Sequence, residues 1–240
     1  MTIDAGVSVG TDDRDVEKAA AAAAAVADIR DGMLVGLGSG STAAHAVRAV
    51  GRRVAEGLRI ECVATSRATE ALARSAGLTV RPFDDVARLD LTIDGADEID
   101  PALRAIKGGG GALLREKVVA AASDRVSIIV DSSKAVARLG AFPLPVEVLP
   151  FAHAWVMRVL AELGGTATQR RGPDGSAYRT DQGNLIVDAA FGPIEDPAAL
   201  ALRLSQVPGI VEHGLFLDEI DTVFVGRPGG VDIHRRGGPW

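Results

Sequence analysis

The sequence predicts an α/β fold in which a mostly parallel sheet forms the core and a smaller α+β unit is attached to it. Three observations support this prediction. Short β-branched runs alternate with helical patterns over residues 1–140, as in parallel strands joined by crossover helices. Glycine-rich and acidic segments stand at the ends of several predicted strands. A proline-rich segment, 142-FPLPVEVLP-150, then ends the alternation.

The elements of the core follow from this pattern. An alanine-rich helix is predicted from near Asp15, because alanine is the strongest helix former. Apolar β-branched runs predict strands, and the helical periodicity between them predicts helices. The predicted strands are 33–38, 60–65, 78–83, 89–94 and 126–131, and the predicted helices are roughly 42–55, 67–76 and 112–123.

The second unit begins at the proline-rich segment. Its predicted elements are a helix at about 152–163, strands within 166–179 and 184–191 around a Gly/Asp/Pro turn, a helix near 197–206 and a strand at 210–216. The segment 222-TVFVG-226 is expected to rejoin the main sheet, and the tail 234–240 to be mobile. The predicted organisation is a core of residues 1–141 plus 217–240 and a second unit of residues 142–216.

Composition and charge exclude several classes of protein. A net charge of -6 argues against a general nucleic-acid binder, which needs a basic surface. Cys62 is the only cysteine, so no intrachain disulfide can form, and we interpret it as a buried strand residue. The alanine run 19–29 follows acidic residues and is too short to span a bilayer. We therefore expect a cytoplasmic protein with no membrane partner.

The stretch 36-GLGSGSTA-43 joins a predicted strand to a predicted helix. It fails the dinucleotide fingerprint because Ser41 stands where the third glycine belongs, and it has no Gly-Lys-Ser/Thr of a Walker loop. Glycines that let N–H groups approach an anion, a helix N-terminus, and the hydroxyls of Ser39, Ser41 and Thr42 suit a phosphate monoester. A tight turn with a capping hydroxyl is the alternative.

The stretch 94-DGADEID-100 follows the apolar strand ending at Ile93. A Gly-Ala turn between Asp94 and Asp97 would let both carboxylates face one cleft. Such a pair can exchange protons with sugar hydroxyls or bind Mg²⁺. An Asx-type turn on a solvated acidic rim is the structural alternative.

The stretch 107-KGGGGALLREK-117 places four glycines between a lysine and a helix. Four glycines cost conformational entropy, so close approach of the backbone to a ligand is the better explanation. Lys107 could neutralise a developing oxyanion, and Glu116, one turn into the helix, could act as a general base. Alternatively, Glu116 is a solvated or ion-paired surface residue. Lys134, in 131-DSSK-134, is a further cationic candidate.

The four histidines share no metal-ligand spacing, so no metal site is predicted. They are His45, His153, His213 and His234. His45, on the helix after the glycine turn, is interpreted as structural.

Taken together, these segments resemble the ribose-5-phosphate isomerase A family. The resemblance rests on 36-GLGSGSTA-43, 92-TIDGADEID-100, 106-IKGGGGALLREK-117, 131-DSSK-134 and 142-FPLPVEV-148, with weaker matches at 180-TDQGN-184 and 207-VPGIVEHGLF-216. It implies a Rossmann-like core with a smaller α+β, ferredoxin-like lid domain, assembled as a homodimer or homotetramer. It also implies interconversion of D-ribose 5-phosphate and D-ribulose 5-phosphate without metal or organic cofactor.

The resemblance also implies roles for individual residues. Glu116 matches the general base, with Asp94, Asp97 and Lys107 as the other catalytic residues; Asp94 is expected to assist ring opening. Lys18 is a weaker match to a phosphate-contacting lysine. The residues expected to bind the substrate are Ser39, Gly40, Ser41, Thr42, Asp94, Gly95, Ala96, Asp97, Lys107, Gly108, Gly109, Gly110 and Lys134.

Two other readings compete with the isomerase. A sugar-phosphate-sensing module would keep the phosphate loop without needing Glu116 and Lys107 together, and it would normally carry a DNA-binding segment. Another enzyme of similar fold, such as an amino-sugar phosphate isomerase or a phosphogluconolactonase, needs a different acid–base set. The combination of KGGGG with the downstream REK argues against both enzymes.

Overall fold

The computed structural model describes residues 11–240, so the part of the predicted core before residue 11 lies outside the described residues. The helices are α1 Thr11–Val26, α2 Ser41–Ala55, α3 Arg67–Ser75, α4 Leu113–Ala121, α5 His153–Glu162 and α6 Pro197–Ser205, with 3₁₀ turns at Ser132–Lys134 and Pro150–Ala152. The strands are β1 Leu34–Leu37, β2 Glu61–Ala64, β3 Leu91–Asp94, β4 Glu98–Ile99, β5 Ala105–Ile106, β6 Val126–Asp131, β7 Leu144–Val148, β8 Thr166–Gln169, β9 Leu185–Ala190, β10 Ile210–His213, β11 Leu215–Phe216, β12 Thr222–Arg227 and β13 Gly230–Arg235. Between residues 11 and 240, no helix is long and apolar enough to cross a membrane.

The main sheet has six strands in the order β13-β12-β6-β3-β1-β2. Five of them run parallel, and β13 adds an antiparallel edge. The segment 222–226 therefore rejoins this sheet, as the sequence predicts. Because β1, β3 and β6 are neighbours that run parallel, the segments that follow them meet at one edge of the sheet.

Both faces of this sheet are buried, which explains why every residue of β6 is buried and why apolar residues stand at the successive positions 128–130. Ile129 and Phe224 pack with α1 and α2 on one face. Ile128 and Val223 pack on the other face with Ala120 of α4. A strand covered on both sides needs apolar residues at every position rather than at alternate ones.

The second unit has its own four-stranded antiparallel sheet in the order β10-β7-β9-β8. With α5 between β7 and β8, and α6 between β9 and β10, the chain order is βαββαβ. This is the ferredoxin-like arrangement, so the predicted fold class is confirmed. We call residues 142–216 the lid unit, after the role that the family resemblance implies for them.

Three predictions about individual segments are wrong. Residues 78–83 form no strand but one bridge, from Val80 to Cys62, in which the Cys62 N–H donates to the Thr79 carbonyl and the Arg81 N–H to the Cys62 carbonyl. The predicted strand 210–216 divides at Gly214. Its first part lies in the lid sheet, and its second part joins β4 and β5 in a small third sheet.

The other correction concerns the tail, which was predicted to be mobile from residue 234. His234 and Arg235 belong to β13, which pairs with β12 over six positions. The His234 ring also stacks on Trp240, with ring centroids 4.1 Å apart. Backbone pairing with β12 places residues 234 and 235 in the sheet, which the glycine-rich, basic composition of the tail does not predict.

Candidate active site

A cavity of about 160 Å³ opens where the loops after β1, β3 and β5 meet. Nearly all the residues predicted to bind substrate line it, although they come from distant parts of the sequence. Its lining consists of Lys18, Ser39, Gly40, Ser41, Thr42, Gly95, Ala96, Asp97, Lys107, Gly108, Gly109, Gly110, Glu116 and Lys134. Asp94 is buried behind this lining and contacts it through the N–H groups of Ser39 and Gly95.

Asp94 joins the first two predicted loops. It ends β3, and its Oδ1 accepts hydrogen bonds from the N–H groups of Ser39 (3.0 Å) and Gly95 (2.7 Å). A Cβ on Gly38 would lie 1.9 Å from that same oxygen. The glycine at position 38 is therefore required by the close approach of Asp94 to the loop backbone.

Lys107 lies between two carboxylates. Its Nζ is 2.9 Å from Asp94 Oδ2 and 3.3 Å from Glu116 Oε2, and all three side chains are buried. The ammonium also donates to the carbonyl of Gly95 and lies over the ring of Phe216, 5.3 Å from its centroid. Two acids and one base leave this buried group with a net charge of −1 when all are ionised.

Burial and repulsion shift the pKa of Glu116. Loss of water around the carboxylate, followed by repulsion from Asp94, raises the pKa of Glu116 from 4.5 to about 8, although Lys107 opposes the change. Burial lowers the pKa of Lys107, but the charges of Asp94 and Glu116 outweigh it, so the net pKa is raised. The lysine thus stays charged, and the pKa of Glu116 lies within about one unit of neutral pH. That range suits a general base.

Glu116 reaches this position because α4 begins at Leu113, directly after Gly111 turns the chain with φ 77. Its Oε2 lies within ion-pair distance of Lys107 but has no hydrogen-bond partner in the part of the chain that the structure describes. The contact between Lys107 Nζ and Glu116 Oε2 is an ion pair at 3.3 Å whose geometry is not aligned for a hydrogen bond. A carboxylate oxygen in this arrangement keeps a lone pair available for a substrate proton.

Asp97 is hydrogen-bonded to the glycine loop, the name we use for residues 108–111. The N–H of Gly109 donates to Asp97 Oδ2 at 2.7 Å. Asp97 is partly exposed and lines the cavity, and no hydrogen bond to its Oδ1 is found within residues 11–240. This acid can therefore reach a ligand directly.

The other end of the cavity suits an anion. Helix α2 begins after Gly40, whose φ is 96, and no side chain caps its first turn. The capped-turn alternative for this loop is therefore wrong. Lys18 Nζ donates to Ser41 Oγ at 3.3 Å, and Lys134 approaches from the 3₁₀ turn after β6. Uncapped N–H groups, hydroxyls and two lysines therefore give this end of the cavity donors and positive charge of the kind that suits an anion.

Ser39 is used differently from what the sequence suggests. Its N–H is taken by Asp94, and its hydroxyl donates to Ser66 Oγ at 2.8 Å. Thr65 and Thr69 lie at 2.8 and 3.1 Å from the same hydroxyl. These three residues, which sequence reasoning did not single out, form a hydroxyl cluster beneath the phosphate loop. Their hydroxyl-rich spacing in 65-TSRAT-69 was the available signal.

Sequence reasoning also missed two lid residues that contact the glycine loop. Arg170 Nη1 donates to the carbonyls of Gly108 (2.8 Å) and Gly109 (3.0 Å). The Tyr178 hydroxyl donates to the carbonyl of Gly110 at 3.1 Å. Both come from the segment that the sequence marked only as strands around a turn.

Two residues set aside by the sequence have structural positions. His45 Nε2 lies 3.0 Å from Asp15 Oδ1, which connects α2 to α1. Cys62 is buried in β2, and burial raises the pKa of its thiol to about 12, so it is not an activated nucleophile.

Together, the fold and the site have the features of an α/β enzyme for a small phosphorylated substrate. The family model of ribose 5-phosphate isomerase A (phosphoriboisomerase A) matches residues 61–230. The chain is also 56% identical over 221 residues to ribose-5-phosphate isomerase A of Sphingopyxis alaskensis, covering 92% of this chain and 96% of that one. The chain belongs to the ribose-5-phosphate isomerase A family, and it is an isomerase.

Solved structures agree with this assignment. Ribose 5-phosphate isomerase A from Methanocaldococcus jannaschii superposes with a TM-score of 0.88 at 39% identity, covering 92% of this chain and 99% of that one. A D-ribose-5-phosphate isomerase in complex with phospho-erythronic acid superposes with a TM-score of 0.90 at 36% identity, covering 93% and 99%. The similarity therefore extends over the core and the lid unit.

Proposed function

We propose that this chain interconverts D-ribose 5-phosphate and D-ribulose 5-phosphate, with Glu116 as the general base. The observation that carries the proposal is the buried Glu116 carboxyl, whose pKa is raised to about 8, in the same cavity as a cationic, hydroxyl-rich phosphate site. The relative that binds phospho-erythronic acid supports the same substrate class, since that compound is a short sugar acid carrying a phosphate.

The phosphate would bind at the N-terminus of α2, against Ser41 and Thr42, with Lys18 and Lys134 supplying positive charge. This contact is remote from the reacting carbons. Binding energy gained there holds C1 and C2 against Glu116 and is available to assist the reaction.

Ring opening needs a group that takes the proton of the anomeric hydroxyl and returns one to the ring oxygen. The family resemblance implies this role for Asp94, but the oxygens of Asp94 are engaged by Ser39, Gly95 and Lys107. Asp97 lines the cavity, and within residues 11–240 its Oδ1 accepts no hydrogen bond, so we propose that Asp97 exchanges the proton. Asp94 then fixes Lys107 and raises the pKa of Glu116.

The isomerisation itself follows on the open-chain aldose. Glu116 removes the proton on C2, giving a cis-enediolate, and returns it to C1, while the hydroxyl proton passes from O2 to O1. Lys107 and N–H groups of the glycine loop stabilise the negative oxygen. A donor of this kind typically contributes about 3 kcal/mol, and a positioned acid–base group roughly 10²–10⁴-fold in rate.

Three broader expectations complete the proposal. Residues 142–216 act as a lid, supported by the contacts of Arg170 and Tyr178 with the glycine loop. Residues 11–141 and 217–240 form the catalytic core. We further propose a cytoplasmic homodimer or homotetramer that requires no cofactor.

A coupled assay of D-ribose 5-phosphate conversion, run with EDTA in deuterated water, tests the function. We expect conversion, with solvent deuterium appearing at C1 of the ketose and C2 of the aldose. The variant Glu116→Gln should lose turnover but still bind inorganic phosphate. Absence of conversion and exchange in the unmodified chain rejects the isomerase, and EDTA inhibition reversed by Mg²⁺ rejects the cofactor-free mechanism.

A further inference from the structure

The lid unit contributes a guanidinium that holds the glycine loop from outside the cavity. Arg170 lies in the segment after β8, and its Nη1 donates to two successive carbonyls, those of Gly108 and Gly109. Its Nε donates to Asp188 Oδ2 at 2.9 Å, and its Nη2 pairs with the other oxygen of Asp188. Because the carboxylate binds the guanidinium through both oxygens, the direction of the remaining N–H donors is fixed.

These contacts determine where the N–H groups of the loop point. In a trans peptide unit the carbonyl and the N–H point in opposite directions, and the described chain has no cis peptide. The peptide that joins Gly108 to Gly109 shows the consequence directly. Its carbonyl faces Arg170, and its N–H donates to Asp97 Oδ2 at 2.7 Å.

The next peptide unit repeats this orientation. The Gly109 carbonyl faces Arg170, so the N–H of Gly110 points away from the lid, toward the cavity that Gly110 lines. Within residues 11–240, this N–H has no protein acceptor. A hydrogen bond from a cation to a carbonyl also polarises the peptide, which makes its N–H a stronger donor.

Tyr178 supports the following unit. Its hydroxyl donates to the Gly110 carbonyl, and a Cβ on Gly111 would lie 2.4 Å from that hydroxyl oxygen. The lid thus binds three successive carbonyls of the loop. The Gly111 N–H donates to the Gly108 carbonyl at 2.9 Å, so among residues 11–240 the Gly110 N–H is the one N–H of these three peptide units without a protein acceptor.

We propose that Arg170 is a positioning residue for the isomerisation: it orients the Gly110 N–H toward the enediolate oxygen and, through the Gly109 N–H, the Asp97 carboxylate. This inference rests on the proposed function and assigns to it a group outside the cavity. Arg170 does not touch the substrate. Its effect is transmitted by the backbone of the glycine loop.

The test compares Arg170→Met with Arg171→Met. Arg171 is the adjacent residue, and its Nη1 also donates to a carbonyl, that of Gly175, within the same hairpin. The control therefore removes a guanidinium–carbonyl bond that does not reach the glycine loop. We expect kcat of Arg170→Met to fall by about 10–10²-fold with KM changed by less than about 3-fold, because a lost oxyanion donor affects the transition state.

Ligand binding separates positioning from general damage to the fold. Phospho-erythronic acid carries a planar anionic carboxylate opposite its phosphate, as the enediolate carries its negative oxygens. Inorganic phosphate needs only the phosphate end of the site. By calorimetry, Arg170→Met should bind the sugar acid at least about 10-fold more weakly and inorganic phosphate within about 2-fold of the unmodified chain.

Two milder variants keep the test decisive if Arg170→Met does not fold. Arg170→Lys keeps the charge but cannot bind Asp188 and both carbonyls, so it should show the same pattern with a smaller loss of kcat. Tyr178→Phe loses only the Gly110 contact and should lower kcat less again.

Two results overturn the positioning role. One is an equal loss of affinity for phospho-erythronic acid and inorganic phosphate in Arg170→Met. The other is that Arg170→Met and Arg170→Lys behave like Arg171→Met. An unmodified chain that binds phosphate without isomerising overturns the proposed function instead.

Discussion

Replacing Glu116 by glutamine should remove activity and, at alkaline pH, stabilise the fold. Burial and the nearby Asp94 raise the pKa of Glu116 to about 8 in the folded chain, against 4.5 as the ordinary value. Between these two values the unfolded chain releases the proton while the folded chain keeps it. The folded state then binds more protons, so the free energy of unfolding decreases as the pH rises through this window.

The size of the effect follows from the same two pKa values. A rise from 4.5 to about 8 corresponds to a cost of about 5 kcal/mol once the carboxylate is fully ionised. Relaxation and water penetration reduce such costs in real proteins, so we expect about 2 kcal/mol at pH 9. The glutamine variant avoids this cost because it cannot ionise. In a chain of this size, the difference raises Tm by about 4–8 °C.

Thermal unfolding of the unmodified chain and of Glu116→Gln, measured from pH 5 to pH 9, tests this reasoning. The difference in Tm should be small at pH 5 and grow toward pH 9. An exposed glutamate on the surface, replaced as Glu56→Gln, serves as the control and should show no such trend.

Activity gives an independent reading of the same group. Because the base must be ionised, kcat/KM of the unmodified chain should rise with pH through about 8, well above the second phosphate pKa of about 6. Two results would refute the assignment of a raised pKa and of the general-base role to Glu116. One is a Tm difference that does not change with pH, and the other is a kcat/KM that stays level between pH 6.5 and 9.

Three further substitutions test the site. Gly38→Ala should lower kcat by at least about 10²-fold and stability by about 1–3 kcal/mol, because the new Cβ would meet the carboxylate of Asp94. The control is Gly230→Ala, whose Cβ would lie in open space. Equal activity of the two variants would contradict this explanation. Ser39→Ala should cost about 1 kcal/mol of unfolding free energy, with KM changed by less than about 3-fold, since its hydroxyl is bonded within the protein; a large rise in KM would show that it binds the phosphate. Lys18→Met should raise KM about 10-fold with kcat nearly unchanged, because the phosphate contact is made equally in the ground and transition states, and a fall in kcat alone would contradict that role.

Much of the fold could be predicted from local sequence because local physics decides it. The β6 run and the rejoining segment 222–226 carry apolar residues at successive positions, 128–130 and 223–225, as is typical of strands buried on both faces. The prediction failed where pairing partners matter more than composition. Residues 78–83 have strand composition but make only one bridge to β2, and β7 is a central strand despite Pro145.

The site divides in the same way. The sequence by itself predicted residues that line the cavity. The glycine and acidic motifs follow β1 and β3, whose ends meet at one edge because the strands run parallel, and the KGGGG segment indicated Lys107 and, one turn into the next helix, Glu116. Only the tertiary structure decided how these groups are charged and aimed. Burial beside Asp94 sets the pKa of Glu116, and Arg170, more than fifty residues further along the chain, orients the glycine loop. Dielectric environment and hydrogen-bond direction depend on neighbours in space, which no single segment of sequence contains.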